Sequence, residues 1–140
     1  MGELNRFLQA QEDTYDQALE EIKSGKKRTH WMWFIFPQLK ELGRSTTAKF
    51  YGIENFGEAE AYIKDPVLGS RLKEISEELL NIESTDALLI MGSPDDKKLR
   101  SSMTLFAIVS EDPVFQKVLD KFFDGKKDPF TMDLIQGDRS

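Results

Sequence analysis

Prolines placed directly after helix-capping residues are the feature of this sequence that most restricts its fold. Asp65-Pro66, Ser93-Pro94 and Asp112-Pro113 each join a capping residue to a proline, which a first helical turn tolerates because the missing N–H has no intrahelical partner there. Apolar residues follow the first of these starts at steps of three and four, at Leu68, Leu72, Ile75, Leu79 and Ile82. No segment shows the period-two alternation of a strand. The sequence predicts an all-α fold: a compact single-domain bundle of about seven to nine helices, several of them short, over residues 1–140, without a sheet of three or more strands.

Other helix boundaries follow from similar signals. Apolar residues at helical spacing predict one continuous first helix from Leu4 to Ile22, which Gly25 ends. Its charged residues, among them Glu20 and Glu21, are expected mostly on the opposite side of that helix. Shorter helices are predicted to begin at the caps Ser45, Asn55 and Ser84. A last short helix is predicted to contain Phe130, Leu134 and Ile135.

Residues 29–39 form the densest apolar stretch of the chain. They include both tryptophans, the only histidine and two of the ten phenylalanines, and six consecutive apolar residues run from Trp31 to Phe36. Such a run fits a buried strand or a buried helix, and its aromatic composition favours a strand. Because no partner strand is evident, we expect a short buried helix that ends before Pro37. The predicted core comprises Leu8, Tyr15, Leu19, Trp33, Phe34, Leu72, Leu79, Leu99, Met103, Phe106, Leu119 and Phe122.

The composition excludes several classes of function. A chain of 140 residues without cysteine has no disulfide, thiolate nucleophile or cysteine zinc site. A single histidine excludes a multi-histidine metal site, whereas an all-carboxylate site stays open. The formal net charge of −6 argues against nucleic acid as a partner, since nucleic-acid binding normally needs a basic face. No signal-peptide pattern and no apolar run of membrane-spanning length are present, so we expect a cytoplasmic protein without a membrane partner.

His30 is the predicted catalytic residue, because imidazole changes charge near neutral pH and therefore suits a general acid or base. The alternative is a buried histidine that binds a backbone carbonyl. Trp31 and Trp33 are candidate ligand-binding residues, since an indole can stack on a nucleobase, but burial in the core explains them as well. The basic residues 26–28 that precede them are also explained by the end of the first helix, whose dipole favours cations.

A second candidate site lies on the helix predicted after Ser93. Cations and hydroxyls, which together bind phosphate or carboxylate groups, recur on one face of this helix, at Lys97, Arg100, Ser101 and Thr104. The alternative is a solvated face whose hydroxyls bond back to the preceding turn. These four residues are predicted to bind a ligand, and we expect His30 and Arg100 to lie in or beside one pocket.

Several motifs resemble those of a known family. They lie in residues 4–7, in residues 25–39 with the string His-Trp-Met-Trp-Phe-Ile-Phe-Pro-Gln, in residues 66–72 and in residues 98–106. They are similar to an uncharacterised bacterial domain of unknown function, some of whose members carry the label calpastatin-like. The resemblance covers nearly the whole chain and implies a compact all-α single domain with no established activity.

Two hypotheses of different classes follow. The first is a small-molecule module with a pocket between residues 29–39 and the helix that carries Arg100. It would bind a phosphate-bearing, nucleotide-like ligand and, if it is an enzyme, act as a hydrolase or transferase. The second is a non-enzymatic protein-interaction domain with the aromatic stretch as core and a partner that the sequence does not identify. No phosphate loop, nucleophile elbow or metal-ligand spacing is present, and no cofactor or metal is predicted.

Overall fold

The computed structural model describes residues 2–139, and the side chains of residues 4–137. Within this part of the chain there is no β-strand, only an isolated parallel bridge between Leu39 and Ile53, so the all-α prediction is confirmed. Residues 2–139 form ten α-helices, rather than the predicted seven to nine, and one 3₁₀ turn at Lys40–Leu42. The α-helices are α1 (Gly2–Glu12), α2 (Tyr15–Lys23), α3 (Met32–Ile35), α4 (Thr46–Phe50), α5 (Phe56–Lys64), α6 (Pro66–Asn81), α7 (Ala87–Met91), α8 (Asp95–Val109), α9 (Val114–Phe123) and α10 (Pro129–Arg139).

Four of the predicted capping residues accept backbone N–H groups at helix starts, and three of them occupy the N-cap position itself. The side chain of Ser45 accepts a backbone N–H from the first turn of α4 over 3.0 Å, and Asn55 does the same for α5 over 2.9 Å. Asp65 accepts two backbone N–H groups at the start of α6, at 2.9 and 3.0 Å. Asp112 lies one residue before the N-cap position of α9, which is Pro113, and accepts the N–H of the first helical residue, Val114, at 2.9 Å. These bonds satisfy donors that have no partner inside the helix, which is why short polar residues mark the starts.

Two other predicted caps are wrong. The residue that caps α7 is Asp86, whose carboxylate accepts a first-turn N–H over 3.2 Å. Ser84 lies two residues earlier and accepts the N–H of Asp86 itself over 3.1 Å, so it forms a local turn instead of a cap. α8 begins at Asp95 without any side-chain cap, and Ser93 lies outside it. Both wrongly predicted caps are serines near a helix start. Neither occupies the position from which a side chain accepts the free N–H groups of the first turn.

A further cap–proline pair, Asp128-Pro129, begins α10 and escaped the sequence prediction. The Asp128 carboxylate accepts the N–H of Thr131 over 2.9 Å and its hydroxyl over 2.7 Å. The helix runs to Arg139 and is therefore longer than the short final helix that was expected.

The predicted first helix is two helices. A turn at Asp13 and Thr14 separates α1 from α2, and the Thr14 N–H bonds to the carbonyl of Gln11 over 3.2 Å. Aspartate and threonine are weak helix formers, which explains a break at this point. The predicted apolar face of α2 is kept, because Tyr15, Ala18 and Ile22 are buried. Glu21, expected on the polar side, is only 2% exposed, so that expectation is wrong.

α8 runs through the middle of the core and packs against α5, α7, α9 and α10. The ring of Phe106 is fully buried, with its centroid 5.4 Å from that of Tyr62 and 5.9 Å from that of Phe115. Eight predicted core residues are buried: Tyr15, Phe34, Leu72, Leu79, Leu99, Met103, Phe106 and Leu119. The other four pack against the core while partly exposed: Leu8, Leu19, Trp33 and Phe122. Phe7, which was not predicted, is fully buried.

The aromatic stretch forms the predicted short buried helix, α3. Pro37 and Leu39, which follow it, are buried, and the chain then pairs briefly with the segment after α4. The Lys40 N–H donates to the carbonyl of Ile53 over 2.9 Å, and the Ile53 N–H donates to that of Gln38 over 2.8 Å. This pairing holds the 3₁₀ turn and α4 beside the start of α8.

Candidate functional site

A cleft of about 610 Å³ opens between three segments that are distant in sequence. One wall is residues 38–48, the second is the first half of α8, and the third is the start of α10. Its charged lining is Arg44, Lys97, Lys98, Arg100 and Asp128. Its other polar lining is Gln38, Ser45 and Ser101, and its larger apolar lining includes Leu42, Pro94, Pro129 and Phe130.

The cleft concentrates positive charge on a chain of net charge −6. Arg44 and Lys97 are exposed, and neither side chain has a hydrogen-bond or ion-pair partner among the described residues. Lys98 reaches Asp95 only at 3.9 Å. Asp128, the one acidic residue of the lining among the residues that the structure describes, accepts the N–H and the hydroxyl of Thr131 with one carboxylate oxygen. Arg44 and Lys97 therefore line the cleft without an ion-pair partner in the described part of the chain.

Arg100 lines the cleft, but two of its three guanidinium nitrogens donate to the protein backbone. Its Nε donates to the carbonyl of Lys126 over 2.8 Å, and its Nη2 donates to that of Lys127 over 2.8 Å. The guanidinium thereby satisfies two backbone carbonyls in the loop between α9 and α10. Only Nη1 is left without a partner among the described residues. Arg100 thus positions the third wall and presents one remaining donor.

Thr104 does not line the cleft. It is fully buried, its hydroxyl donates to the carbonyl of Arg100 over 2.8 Å, and its oxygen accepts the Asp128 N–H over 2.9 Å. Ser101 does line the cleft, and its hydroxyl bonds back to the carbonyl of Lys97 over 3.3 Å. Both hydroxyls bond back to the preceding turn of their own helix, as the structural alternative expected. Of the four residues predicted to bind a ligand on this helix, Thr104 supports the cleft from the core, and three line it: Lys97, Arg100 and Ser101.

The first wall, residues 38–48, is anchored from behind. The guanidinium of Arg6 donates to the carbonyls of Phe50 and Gly52, at 2.8 and 2.7 Å, and forms an ion pair with Glu58 at 2.8 Å. Gly52 packs so tightly that an added Cβ would lie 2.3 Å from the Cα of Lys40. Only glycine allows this approach, which brings the 3₁₀ turn and α4 to the cleft.

The two tryptophans differ in their access to solvent. Trp31 is fully buried, and its indole N–H donates to Oε1 of Glu21 over 2.9 Å. Trp33 is half-buried and lines a small hollow that shares Gln38 and Lys98 with the cleft. The Lys98 ammonium lies 5.8 Å from the Trp33 ring centroid, within the range of a cation–π contact. Trp33 therefore borders the site, whereas Trp31 supports it from the core.

Glu21 is a buried carboxylate that accepts hydrogen bonds from the residues leading into the aromatic stretch. Burial on its own would raise the pKa of its carboxyl, but donors from Thr29, Gln17 and the backbone of residues 28 and 29 reverse the effect and lower the pKa to about 2. With the Trp31 indole, these bonds fix the basic segment after α2. Lys27, in that segment, forms an ion pair with Asp95 at the start of α8, with Nζ and Oδ2 separated by 2.9 Å.

His30 is exposed and does not line the cleft. Its side chain has no hydrogen-bond or ion-pair partner in the part of the chain that the structure describes. Of the expected pair of pocket residues, Arg100 lines the cleft and His30 does not. The catalytic role of His30 stays a prediction.

Several lining residues were not predicted as site residues. Gln38 lies near the end of residues 29–39, Arg44 precedes a helix cap, and Phe130 was predicted only as a member of the last helix. No spacing pattern connects these three residues, because the three walls meet only in the folded chain. The missed Asp128-Pro129 start would have placed Phe130 in the first turn of a helix.

Neither a metal site nor a membrane span is apparent in the described residues. No group of three or more histidine, cysteine, aspartate or glutamate side chains among them is arranged to hold a metal ion. None of the helices formed by those residues combines the length and the hydrophobicity that crossing a membrane requires.

Comparison with known proteins gives a family and a close structural relative. The crystal structure of the conserved hypothetical protein Rv1873 from Mycobacterium tuberculosis superimposes with a TM-score of 0.93 at 42% sequence identity, covering 95% of this chain and 96% of that one. No curated protein matches. Neither the family nor the relative is described by an activity or by the calpastatin label. Because its model matches residues 1–135, the chain belongs to the family described as Protein of unknown function (DUF1810).

Proposed function

We propose that the cleft binds a small phosphate-bearing ligand. The observation that carries this proposal is the pair Arg44 and Lys97, two cations that line one cleft of an acidic chain and have no partner within residues 4–137. An anion bound in the cleft would supply the negative charge that neither cation receives from an ion-pair partner among the described residues. A phosphate group offers enough charge and enough acceptor oxygens for both.

The size and the lining of the cleft support a small organic ligand. Its volume of about 610 Å³ is typical of small-molecule sites, which lie near 300–1,000 Å³. The hydroxyl of Ser45, which only accepts a bond among the described residues, and the free Nη1 of Arg100 supply further donors, whereas the Ser101 hydroxyl already donates to the carbonyl of Lys97. A few polar groups among apolar walls are the usual composition of such a site.

Catalysis at the cleft, by a hydrolase or a transferase reaction, is a more specific form of the same proposal. The carboxylate in the cleft lining, Asp128, is bonded to Thr131, and the lining contains no histidine. The main proposal is therefore ligand binding, and catalysis is secondary to it. The cytoplasmic location and the single-domain organisation over residues 1–140 are kept as predictions alongside it.

The alternative, a protein-interaction domain, draws on the exposed apolar side chains of α7. Leu88 and Leu89 are 53% and 61% exposed. Two leucines cover far less than the roughly 800 Å² per partner of a stable protein interface. The convergent cations of the cleft favour the small-molecule hypothesis over this one.

A charge reversal with a matched control tests the proposal. Lys97→Glu removes one cation of the cleft, and Lys117→Glu makes the same change at another exposed lysine in a first helical turn, outside the cleft. Glutamate is favourable near a helix N-terminus, so both variants should fold.

Titration calorimetry with inorganic pyrophosphate, ribose 5-phosphate and ADP is the measurement. We expect at least one of them to bind, with a loss of roughly tenfold or more in Lys97→Glu and less than about twofold in Lys117→Glu. Binding that is equally unaffected in both variants, or no binding of any probe, would overturn the proposal.

A further inference from the structure

Phe130 is the most exposed large hydrophobic side chain in the described part of the chain, at 68%, and it lines the cleft. Exposing an aromatic ring of this size forgoes the stabilisation that burial would provide. Among the side chains that the structure describes, no other aromatic one lines the cleft. The ring is therefore a free apolar face beside the cations, available to a ligand.

The backbone that carries Phe130 is held firmly. Arg100 bonds to the carbonyls of Lys126 and Lys127, and Thr104 accepts the N–H of Asp128. The Asp128 carboxylate then caps the first turn of α10, in which Phe130 lies. The backbone beneath the ring is therefore already ordered before a ligand binds, which lowers the entropic cost of a stacking contact.

Gln38 adds an unused hydrogen-bonding group. Its backbone carbonyl accepts the Ile53 N–H, but its side-chain amide has no partner among the described residues. It lines both the cleft and the adjoining hollow beside Trp33. A primary amide both donates and accepts, as the edge of a nucleobase does.

From this combination we infer that the ligand is a nucleotide, with its base against Phe130, its phosphate at Arg44 and Lys97, and the Gln38 amide on its base or ribose. This inference rests on the proposed function and narrows it, because a stacking platform and a free amide serve no purpose for a simple phosphate. It also assigns the stacking role, expected from the tryptophans, to a residue outside the aromatic stretch.

Three probes and three variants test the inference. ADP carries a base, ribose 5-phosphate carries only sugar and phosphate, and pyrophosphate carries only phosphate. Phe130→Ala removes the ring, Phe130→Trp keeps a stacking face, and Phe50→Ala removes another exposed phenylalanine, 59% exposed and outside the cleft.

By calorimetry, ADP should bind the wild type at least about tenfold more tightly than ribose 5-phosphate, the scale of one base–aromatic stack. Phe130→Ala should weaken ADP by roughly tenfold and leave pyrophosphate within about twofold, while Phe130→Trp and Phe50→Ala should keep ADP within about threefold. If ADP binds no better than ribose 5-phosphate, or if Phe130→Ala weakens all three probes equally, the nucleotide assignment is wrong although phosphate binding stands. If no probe binds, both inferences fail.

Discussion

The indole N–H of Trp31 donates to Oε1 of Glu21 over 2.9 Å, with both side chains almost completely buried. The same carboxylate accepts the backbone N–H groups of Arg28 and Thr29, at 2.7 and 3.0 Å. The indole N–H, the one hydrogen-bond donor of the Trp31 side chain, is therefore used within the protein. The bond explains why this tryptophan supports the site from the core and why a glutamate of α2 is buried.

The first prediction concerns Glu21→Gln. An amide nitrogen cannot accept a hydrogen bond, so part of the donor set around residue 21 is left unsatisfied in the buried site. We expect the free energy of unfolding at neutral pH to fall by about 2–3 kcal/mol, measured by urea denaturation. Glu20→Gln, the same change at an exposed neighbour, should cost less than about 0.5 kcal/mol.

The same prediction specifies the direction in which stability changes with pH. Folding lowers the pKa of the Glu21 carboxyl from 4.5 to about 2. As the pH falls, the unfolded chain takes up the proton first, so the stabilisation by Glu21 is complete above about pH 5 and is lost between about pH 4.5 and 2. The stability gap between wild type and Glu21→Gln should narrow over that window, and a gap that stays constant would contradict the lowered pKa.

The second prediction concerns the core. Phe106→Ala should lower the free energy of unfolding by about 3–5 kcal/mol, because the ring is fully buried against Tyr62 and Phe115. Phe130→Ala, at an exposed phenylalanine, should cost less than about 1 kcal/mol in the same denaturation experiment. A loss below about 1 kcal/mol for Phe106→Ala would show that this face of α8 is not packed as described.

The third prediction concerns the support of the α10 wall. Thr104→Val keeps the shape of the side chain but removes the oxygen that accepts the Asp128 N–H. We expect a loss of roughly 1–3 kcal/mol and an Asp128 amide that exchanges with solvent at least about tenfold faster. Thr47→Val, at an exposed threonine of α4, is the matched control. Unchanged exchange at Asp128 would remove the proposed positioning role of Thr104.

The fourth prediction concerns His30, which is exposed and outside the cleft lining. His30→Ala should change the free energy of unfolding by less than about 0.5 kcal/mol and the affinity for any ligand of the cleft by less than about twofold. Denaturation and calorimetry on the same variant check both values. A clear loss of affinity would bring His30 back to the site that the sequence predicted for it.

The sequence predicts the helices of this fold better than its site. Cap residues such as Asn55 and Asp65, and the apolar spacing of α6, act locally and so are readable along the chain. The burial of Glu21 depends on tertiary partners, above all the Trp31 indole, that no local pattern specifies. The break before α2 lies at two weak helix formers, but the apolar spacing continues across it and so predicts one helix.

The cleft could be predicted only in part, for a similar reason. Lys97 and Ser101 share a helix face, so their spacing reveals them as neighbours. Arg44 and Phe130 reach the same cleft from two other segments, and only the folded chain brings these walls together. Periodicity also cannot distinguish a ligand-binding hydroxyl from one that bonds to its own helix, as Thr104 does.

The most direct test of a nucleotide-binding cleft is to locate the ligand on the protein. In a two-dimensional amide NMR titration with ADP, we expect the largest shifts at residues 42–48, 97–101 and 128–131, in and beside the three walls of the cleft. The amides around His30 and around Leu88 should move little. Shifts centred on either of those regions, or no shifts at an ADP excess that would saturate a millimolar site, would contradict the assignment of the cleft as the functional site.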